Sequence, residues 1–215
     1  KIIFLMHKTV DNLILIENKL KEKLNSTNIP KIVAVSKTFP LSDILPLINH
    51  GHEHFGENKV QEAIEKWSSI KNDFHKLKLH MIGTLQSNKV KYVLPLFDYI
   101  HSLDSLKLAE KISSEQKKIK KKIKIFIQVN IGQENQKSGI EIEYLEDFYK
   151  ICTTRLDLDI IGLMCLPPQN KDSSEYFLSM KELSTKIAVQ ELSMGMSNDY
   201  IEASKQGSTF VRIGS

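Results

Sequence analysis

The chain has 215 residues, 41% of them hydrophobic and 26% charged, with a formal net charge of +4. This marks a soluble globular protein able to bury a sizeable core, in one large α/β domain or two small ones. The modest charge, with no aromatic residues among the clustered lysines, argues against a nucleic-acid patch; two cysteines without CxxC spacing argue against zinc or a disulfide framework, and no apolar run approaches membrane-spanning length.

The opening Lys1 to Met6 is too short for a signal-peptide core and runs directly into a polar helix, so no export signal is expected and a reducing, cytoplasmic setting fits. Apolar residues at Val10, Leu13, Ile16, Leu20 and Leu24 make a helical stripe, which Asn25 to Pro30 ends. Short apolar runs then alternate with amphipathic stretches. Strands are expected near 31–36, 54–56, 79–83, 98–102, 124–130, 159–164, 191–194 and 209–213. Helices are expected near 41–49, 59–67, 88–94, 105–117, 143–151, 173–188 and 198–206. The lysine cluster Lys117 to Lys124 reads as a solvated helix end followed by the first residues of a strand. Eight strands alternating with helices predict a closed (β/α)8 barrel with an extra N-terminal helix, although an open doubly wound sheet has the same local grammar. No linker of Pro, Gly or Ser composition divides the chain, so residues 1–215 are read as one domain.

In such a barrel the C-terminal strand ends carry the chemistry. Lys37 follows the β-branched run Lys31 to Val35, with polar neighbours and Pro40 closing the segment. A lysine in that place can be partly desolvated, which frees a neutral amine to attack a carbonyl; the alternative is a surface lysine at a strand end. Asn58, Thr84, Ser102 and Asn130 also follow expected strands, and Thr84, Ser102 and Asn130 are read as helix caps. Ser197 differs, because Gly195 allows close backbone approach and a helix begins at once, so amides and a hydroxyl form an anion site there. The Arg212-Ile213-Gly214-Ser215 strand end supplies its second half, in the place where many barrels hold a phosphate.

The segments AVSKT, FGENKVQE, HMIGTLQSNK, QVNIGQENQKSGI, GLMCLPP, LSMGMSNDYIEA and GSTFVRIGS occur in order. By these the chain resembles the pyridoxal phosphate homeostasis protein family, single-domain relatives of the N-terminal barrel of alanine racemase. The resemblance runs from about Met6 to Ser215. It implies pyridoxal 5'-phosphate joined to Lys37 as an internal aldimine, a phosphate cradle of Ser197 with the backbone at Gly214 and Ser215, Arg212 facing the pyridine nitrogen, and Asn58 lining the pocket. It further implies a monomeric carrier that supplies or buffers the cofactor, apo enzymes that depend on the cofactor being its partners. Lys59 departs from the family, which usually has an aromatic there; the stretch from Pro168 to Leu192 is shorter than usual, and the family pattern continues past Ser215. A guanidinium can only donate, so Arg212 would keep the ring nitrogen unprotonated and weaken the ring as an electron sink. The alternative is an amino-acid racemase or lyase with Lys37 as its base.

His50, His52, His54, His75, His80 and His101 are read as surface and strand-end residues rather than a metal site, because no cysteine or carboxylate cluster completes one. Cys165 is expected to be a buried inert thiol. Lys137 is either a solvated loop lysine or a transient second acceptor for the aldehyde.

Overall fold

The structure, a computed structural model, describes residues 7–134, 138–169 and 171–214. Helix α1 (Lys8–Leu24) precedes strand β1 (Lys31–Val35), and seven further strand and helix pairs are interleaved after it. The strands are β2 (His54–Glu57), β3 (Lys78–Met81), β4 (Tyr99–Leu103), β5 (Lys124–Gln128), β6 (Asp159–Met164), β7 (Glu191–Met196) and β8 (Phe210–Ile213). The helices are α2 (Leu41–His50), α3 (Val60–Trp67), α4 (Val90–Leu96), α5 (Leu106–Ile119), α6 (Leu145–Lys150), α7 (Ser174–Lys186) and α8 (Tyr200–Lys205). All the strands run parallel in sequence order, and β8 pairs with β1 through Val33 opposite Arg212, so the sheet closes into the barrel that the alternation predicts.

Closure follows from the burial pattern. Alternate strand residues such as Phe55, Leu79, Met81, Ile100 and Ile125 face the helices and form one apolar layer with Trp67, Val93, Leu108 and Phe177. Burying an aromatic or branched side chain in such a layer contributes roughly 1.5–3 kcal/mol. Helix α1 covers β1 and β8 with Leu13 and Leu20 against Ile32, Val211 and Ile213. His7 starts α1 by accepting from the Thr9 amide, and Asn25 ends it in the left-handed conformation.

The lysine cluster serves the frame. Lys121 donates to the carbonyls of Leu94, Pro95 and Phe97, satisfying the C-terminal end of α4, while Lys118 pairs with Glu115 and Lys122 with Asp157. No helix among the described residues is long and apolar enough to cross a membrane. Both cysteines are free and buried, and burial pushes each thiol up to about 12, so Cys165 is the inert group expected of it.

Two expectations about side chains change. The inward face of the barrel holds rings: Tyr99, Phe126 and Phe210 fill it with Val33 and Met164, and His80 and His101, fully buried, stack on Tyr99 at 4.2 Å and on Phe126 at 4.4 Å. These two histidines are core residues, while His50 and His75 are exposed as predicted. Thr84, Ser102 and Asn130 are not seen capping helices. Ser102 is buried within β4 while Ser105 caps α5, Thr84 is exposed ahead of a turn whose cap position, Gln86, makes no side-chain bond, and Asn130 ties its own loop to Glu134 and Glu141.

Candidate functional site

Strand register assembles the site at the C-terminal mouth. Val35 lies opposite Gly56 on β2, and Ala34 lies opposite Ile213 on β8, so the residues after β1, β2 and β8 emerge side by side. Lys37 and Asn58 are thereby brought to the same rim as Gly214. On the other side of β8, Met196 pairs with Arg212, and the Gly214 amide points at the Ser197 hydroxyl over 3.5 Å. Four of the expected site residues share that rim, Arg212 lies below it, and Ser215 lies outside the described residues, as does Lys137.

Lys37 sits on a tight turn, its side chain exposed rather than partly buried. The next residue, Thr38, has φ 66°, a left-handed conformation uncommon for a residue with a branched Cβ, and therefore one that its surroundings impose. The imposing groups come from α3. The Thr38 amide donates to Glu62 Oε1 over 2.5 Å, and Lys66 Nζ bridges Glu62 Oε1, Glu57 Oε1 and the Ser36 carbonyl at 3.1, 3.0 and 2.7 Å. Glu57 is fully buried and also accepts from the Ser36 hydroxyl at 2.8 Å and from Trp67 Nε1 at 2.9 Å. The Thr38 amide, then Lys66, hold the Glu62 carboxyl below its ordinary value. Position Lys37 thus hangs from a largely buried polar network of five side chains, Ser36, Glu57, Glu62, Lys66 and Trp67, of which the strand-end pattern signals Ser36 and Glu57 but not the three from α3. The signal available was the VQEAIEKW stripe, which puts Glu62 and Lys66 one helical turn apart beside Glu57.

Opposite Val33 of β1, Arg212 is buried inside the barrel. Nη1 donates to the Ser193 carbonyl at 2.8 Å and to Ser193 Oγ at 2.6 Å, and Nη2 donates to the Cys165 carbonyl at 2.9 Å. All three acceptors are neutral, so no carboxylate forms an ion pair with it among the described residues; burial lowers its proton affinity from the ordinary value, and Asp199 counters this from a longer range. A buried cation held by dipoles alone is suited to a ligand that brings an acceptor. Below it stand the buried rings. Burial, then Arg212, holds His101 well below the ordinary value of 6.5; burial, then His101 and His54, does the same for His80; and His54, at the far end, is lowered to about 4 by burial, then by His52 and the lysines Lys31 and Lys78.

At the β7 end, Gly195 has φ 92° and a Cβ there would meet the Ala203 Cβ at 2.6 Å, so glycine alone lets β7 turn against α8. Asp199 Oδ1 accepts from the Met196 amide at 2.7 Å and fixes the turn that presents Ser197. A Cβ on Gly214 would meet the Val35 Cβ at 3.3 Å, which keeps the β8 end close to β1. At the rim, a Cβ on Gly83 would overlap the Asn58 carbonyl, so β3 packs on the Asn58 backbone. A cavity of about 650 Å³ lies on the helix side of β1, reaching from Leu13 and Ile44 to Ser36 and Gly214 at the rim.

The rim offers an amine, a hydroxyl and backbone amides around a buried guanidinium. It could attach an aldehyde, hold an anionic group and donate to a ring acceptor. Among known proteins, the family described as alanine racemase, N-terminal domain, matches residues 14–215. The pyridoxal phosphate homeostasis protein of Haemophilus influenzae is 36% identical over 209 residues, covering 93% of this chain and 88% of that protein. The protein of the same name from Aquifex aeolicus is 37% identical over 196 residues, covering 87% and 85%. PipY of Synechococcus elongatus, whose structure was solved with PLP bound, superposes with a TM-score of 0.84 at 30% identity over 96% of this chain and 98% of that one. A Clostridium difficile alanine racemase, at 16% identity, shares the fold with a TM-score of 0.73.

Proposed function

The chain belongs to the alanine racemase N-terminal domain family and within it to the pyridoxal phosphate homeostasis proteins, and from that premise we propose that it binds pyridoxal 5'-phosphate at the rim described above and serves in the homeostasis of that cofactor. The observation that carries the site assignment is the convergence on one rim of Lys37, Asn58, Ser197 and Gly214 above a buried arginine whose direct hydrogen-bond acceptors are all neutral. The chemistry of these groups fits the cofactor: an amine for its aldehyde, a hydroxyl and amides for its phosphate, a donor for its ring nitrogen.

Bound pyridoxal phosphate supplies an aldehyde carbon that amines attack and an electron-withdrawing ring. Lys37 is the amine we assign to it, carried on the turn that Glu62 and Lys66 hold. Ser197 would hold the phosphate through its hydroxyl, alongside the Gly214 amide and the backbone at Ser215. Asn58 lines the pocket wall. Arg212 would donate to the ring nitrogen and, having no proton to give up, would leave that nitrogen an acceptor. This supports holding and release of the cofactor rather than turnover; the proposal further takes apo enzymes that need the cofactor as recipients, in the cytoplasm, with the protein a monomer.

The alternative, a racemase or lyase with Lys37 as its base, has one observation in its favour: Asp104, in the loop after β4, is a carboxyl that burial raises above its ordinary value. The test of the site is borohydride reduction of the protein loaded with pyridoxal 5'-phosphate, followed by peptide mapping. Label on Lys37 is expected; label confined to other lysines would sink the assignment.

A further inference from the structure

A line of polar contacts inside the barrel belongs to neither the lysine turn nor the phosphate cradle. His54 Nδ1 lies 2.9 Å from His80 Nε2, and His80 Nδ1 lies 2.9 Å from His101 Nε2. His101 Nδ1 is 2.7 Å from Ser193 Oγ, which takes a hydrogen bond from Arg212 Nη1 over 2.6 Å. The line therefore crosses from β2 through β3 and β4 to β7 and ends on the arginine of β8.

Every nitrogen-to-nitrogen contact needs one protonated nitrogen and one lone pair, and a neutral imidazole has one of each. Placing the proton on one ring thus places it on all three. With the protons on Nδ1, Ser193 Oγ would receive both His101 and Arg212, and its own proton would have no acceptor in a fully buried site. A buried donor without a partner is disfavoured. With the protons on Nε2, the Ser193 hydroxyl donates to His101 Nδ1 while its oxygen accepts from Arg212, and the donor left over is His54 Nε2–H, on the one ring of the three that is partly exposed. Charging a ring is opposed as well, by burial and, at His101, by the neighbouring guanidinium.

We propose that His54, His80, His101 and Ser193 form a hydrogen-bond relay of single polarity, all three rings neutral and protonated on Nε2, and that these four are positioning residues for Arg212. The relay commits the Ser193 proton to His101, so the oxygen always presents an acceptor to Nη1. With the Ser193 and Cys165 carbonyls it fixes the plane of the guanidinium. A carboxylate in its place would also fix the plane, but would cancel the charge; neutral rings leave the full charge for an acceptor arriving from the rim. That purpose rests on the assignment of Arg212 to the cofactor ring, whereas the relay itself does not.

The experiment is nitrogen-15 NMR of histidine-labelled, cofactor-free protein at pH 7, correlating each ring nitrogen with the ring carbon protons. His54, His80 and His101 are each expected to show a pyrrole-type Nε2 and a pyridine-type Nδ1. A pyrrole-type Nδ1 on His80 or His101, or a doubly protonated ring, overturns the relay. In Ser193→Ala, the loss of the donor to Nδ1 should let His101, and with it His80 and His54, exchange between tautomers, which loss of packing alone would not produce. Unchanged tautomers in that variant overturn the role of Ser193; should it fail to fold, the wild-type spectrum still decides the polarity. With pyridoxal 5'-phosphate as the probe, Ser193→Ala should bind it with a displaced absorption band. A wild-type band in a loaded Ser193→Ala protein overturns the positioning of Arg212. Failure of the wild type to bind the cofactor at all would strike the functional assignment and leave the tautomers standing.

Discussion

Acidification from pH 7 to pH 5 should unfold this barrel more easily, because it buries imidazoles in the neutral state. His80 and His101 sit well below 6.5 in the folded protein and His54 at about 4, whereas all three return to about 6.5 when the chain unfolds. Between the folded and unfolded values the unfolded chain binds more protons, so stability rises with pH there and is lost as pH falls through 6.5. For a ring that stays neutral in the folded protein, the loss between pH 7 and pH 5 depends on the unfolded value alone and is about 2 kcal/mol. The two fully buried rings can therefore contribute up to about 4 kcal/mol, and His54, screened by its partial exposure, about 1 kcal/mol. Against a total stability of roughly 5–15 kcal/mol this is a large fraction. His52, also lowered by burial, acts in the same direction, and Asp104, raised by burial, opposes it. The carboxyls held low by hydrogen bonds, Glu62, Glu115, Glu146 and Asp172, lose their contribution only below about 4.5, outside the window. Urea unfolding at pH 7, 6 and 5 measures the slope, and His54→Gln, which can still accept from His80, should flatten it by about 1 kcal/mol. A stability that is flat or rises from pH 7 to pH 5 would show that the rings carry protons in the folded barrel and would refute the reasoning.

Lys37→Ala should abolish reducible attachment of pyridoxal 5'-phosphate while changing stability by less than about 0.5 kcal/mol, since the side chain is exposed; a large drop in melting temperature would assign the lysine a structural role. Ser197→Ala and Gly214→Val should weaken retention of pyridoxal 5'-phosphate by about one to two decades for each phosphate hydrogen bond lost, and should leave pyridoxal binding nearly unchanged; equal binding of the two by the wild type would contradict the cradle. Lys66→Met leaves the Glu57 carboxylate buried without its cation and should cost about 3–5 kcal/mol in chemical unfolding; a cost under about 1 kcal/mol would mean that Trp67 and Ser36 suffice to hold it. Exchange of the α-proton of amino acids in heavy water, followed by NMR, should be far slower than about one per second; faster exchange that disappears in Lys37→Ala would move the assignment to an enzyme, with Asp104 the first residue to replace.

What the sequence discloses and what it hides divide along the two faces of each strand. Outward positions such as Leu79, Ile100 and Ile125 meet amphipathic helices, and that pairing of short apolar runs with helical stripes makes the barrel and its strand ends legible, Lys37 and the Ser197 and Gly214 turns included. Inward positions obey no hydropathy rule, because what fills the axis of a closed barrel is chosen by neighbours on other strands. His80 falls between Leu79 and Met81, and His101 follows Ile100, so once the apolar neighbours are assigned outward the histidines must point inward, beside Tyr99 and in phase with His54. Scored one residue at a time, a histidine is polar and reads as surface; scored by strand phase, three of them on consecutive strands form a line. The network under Lys37 was hidden for a related reason. Glu57 and Lys66 are charged residues at positions where an apolar side chain would be expected, and a buried ion pair gives little net stability. Its presence is accounted for by Thr38, whose left-handed backbone Glu62 holds from outside the barrel. Residues that depart from the folding pattern on both faces therefore lead to the same rim: the rings on the inside end at Arg212, and the carboxylates on the outside end at the turn of Lys37.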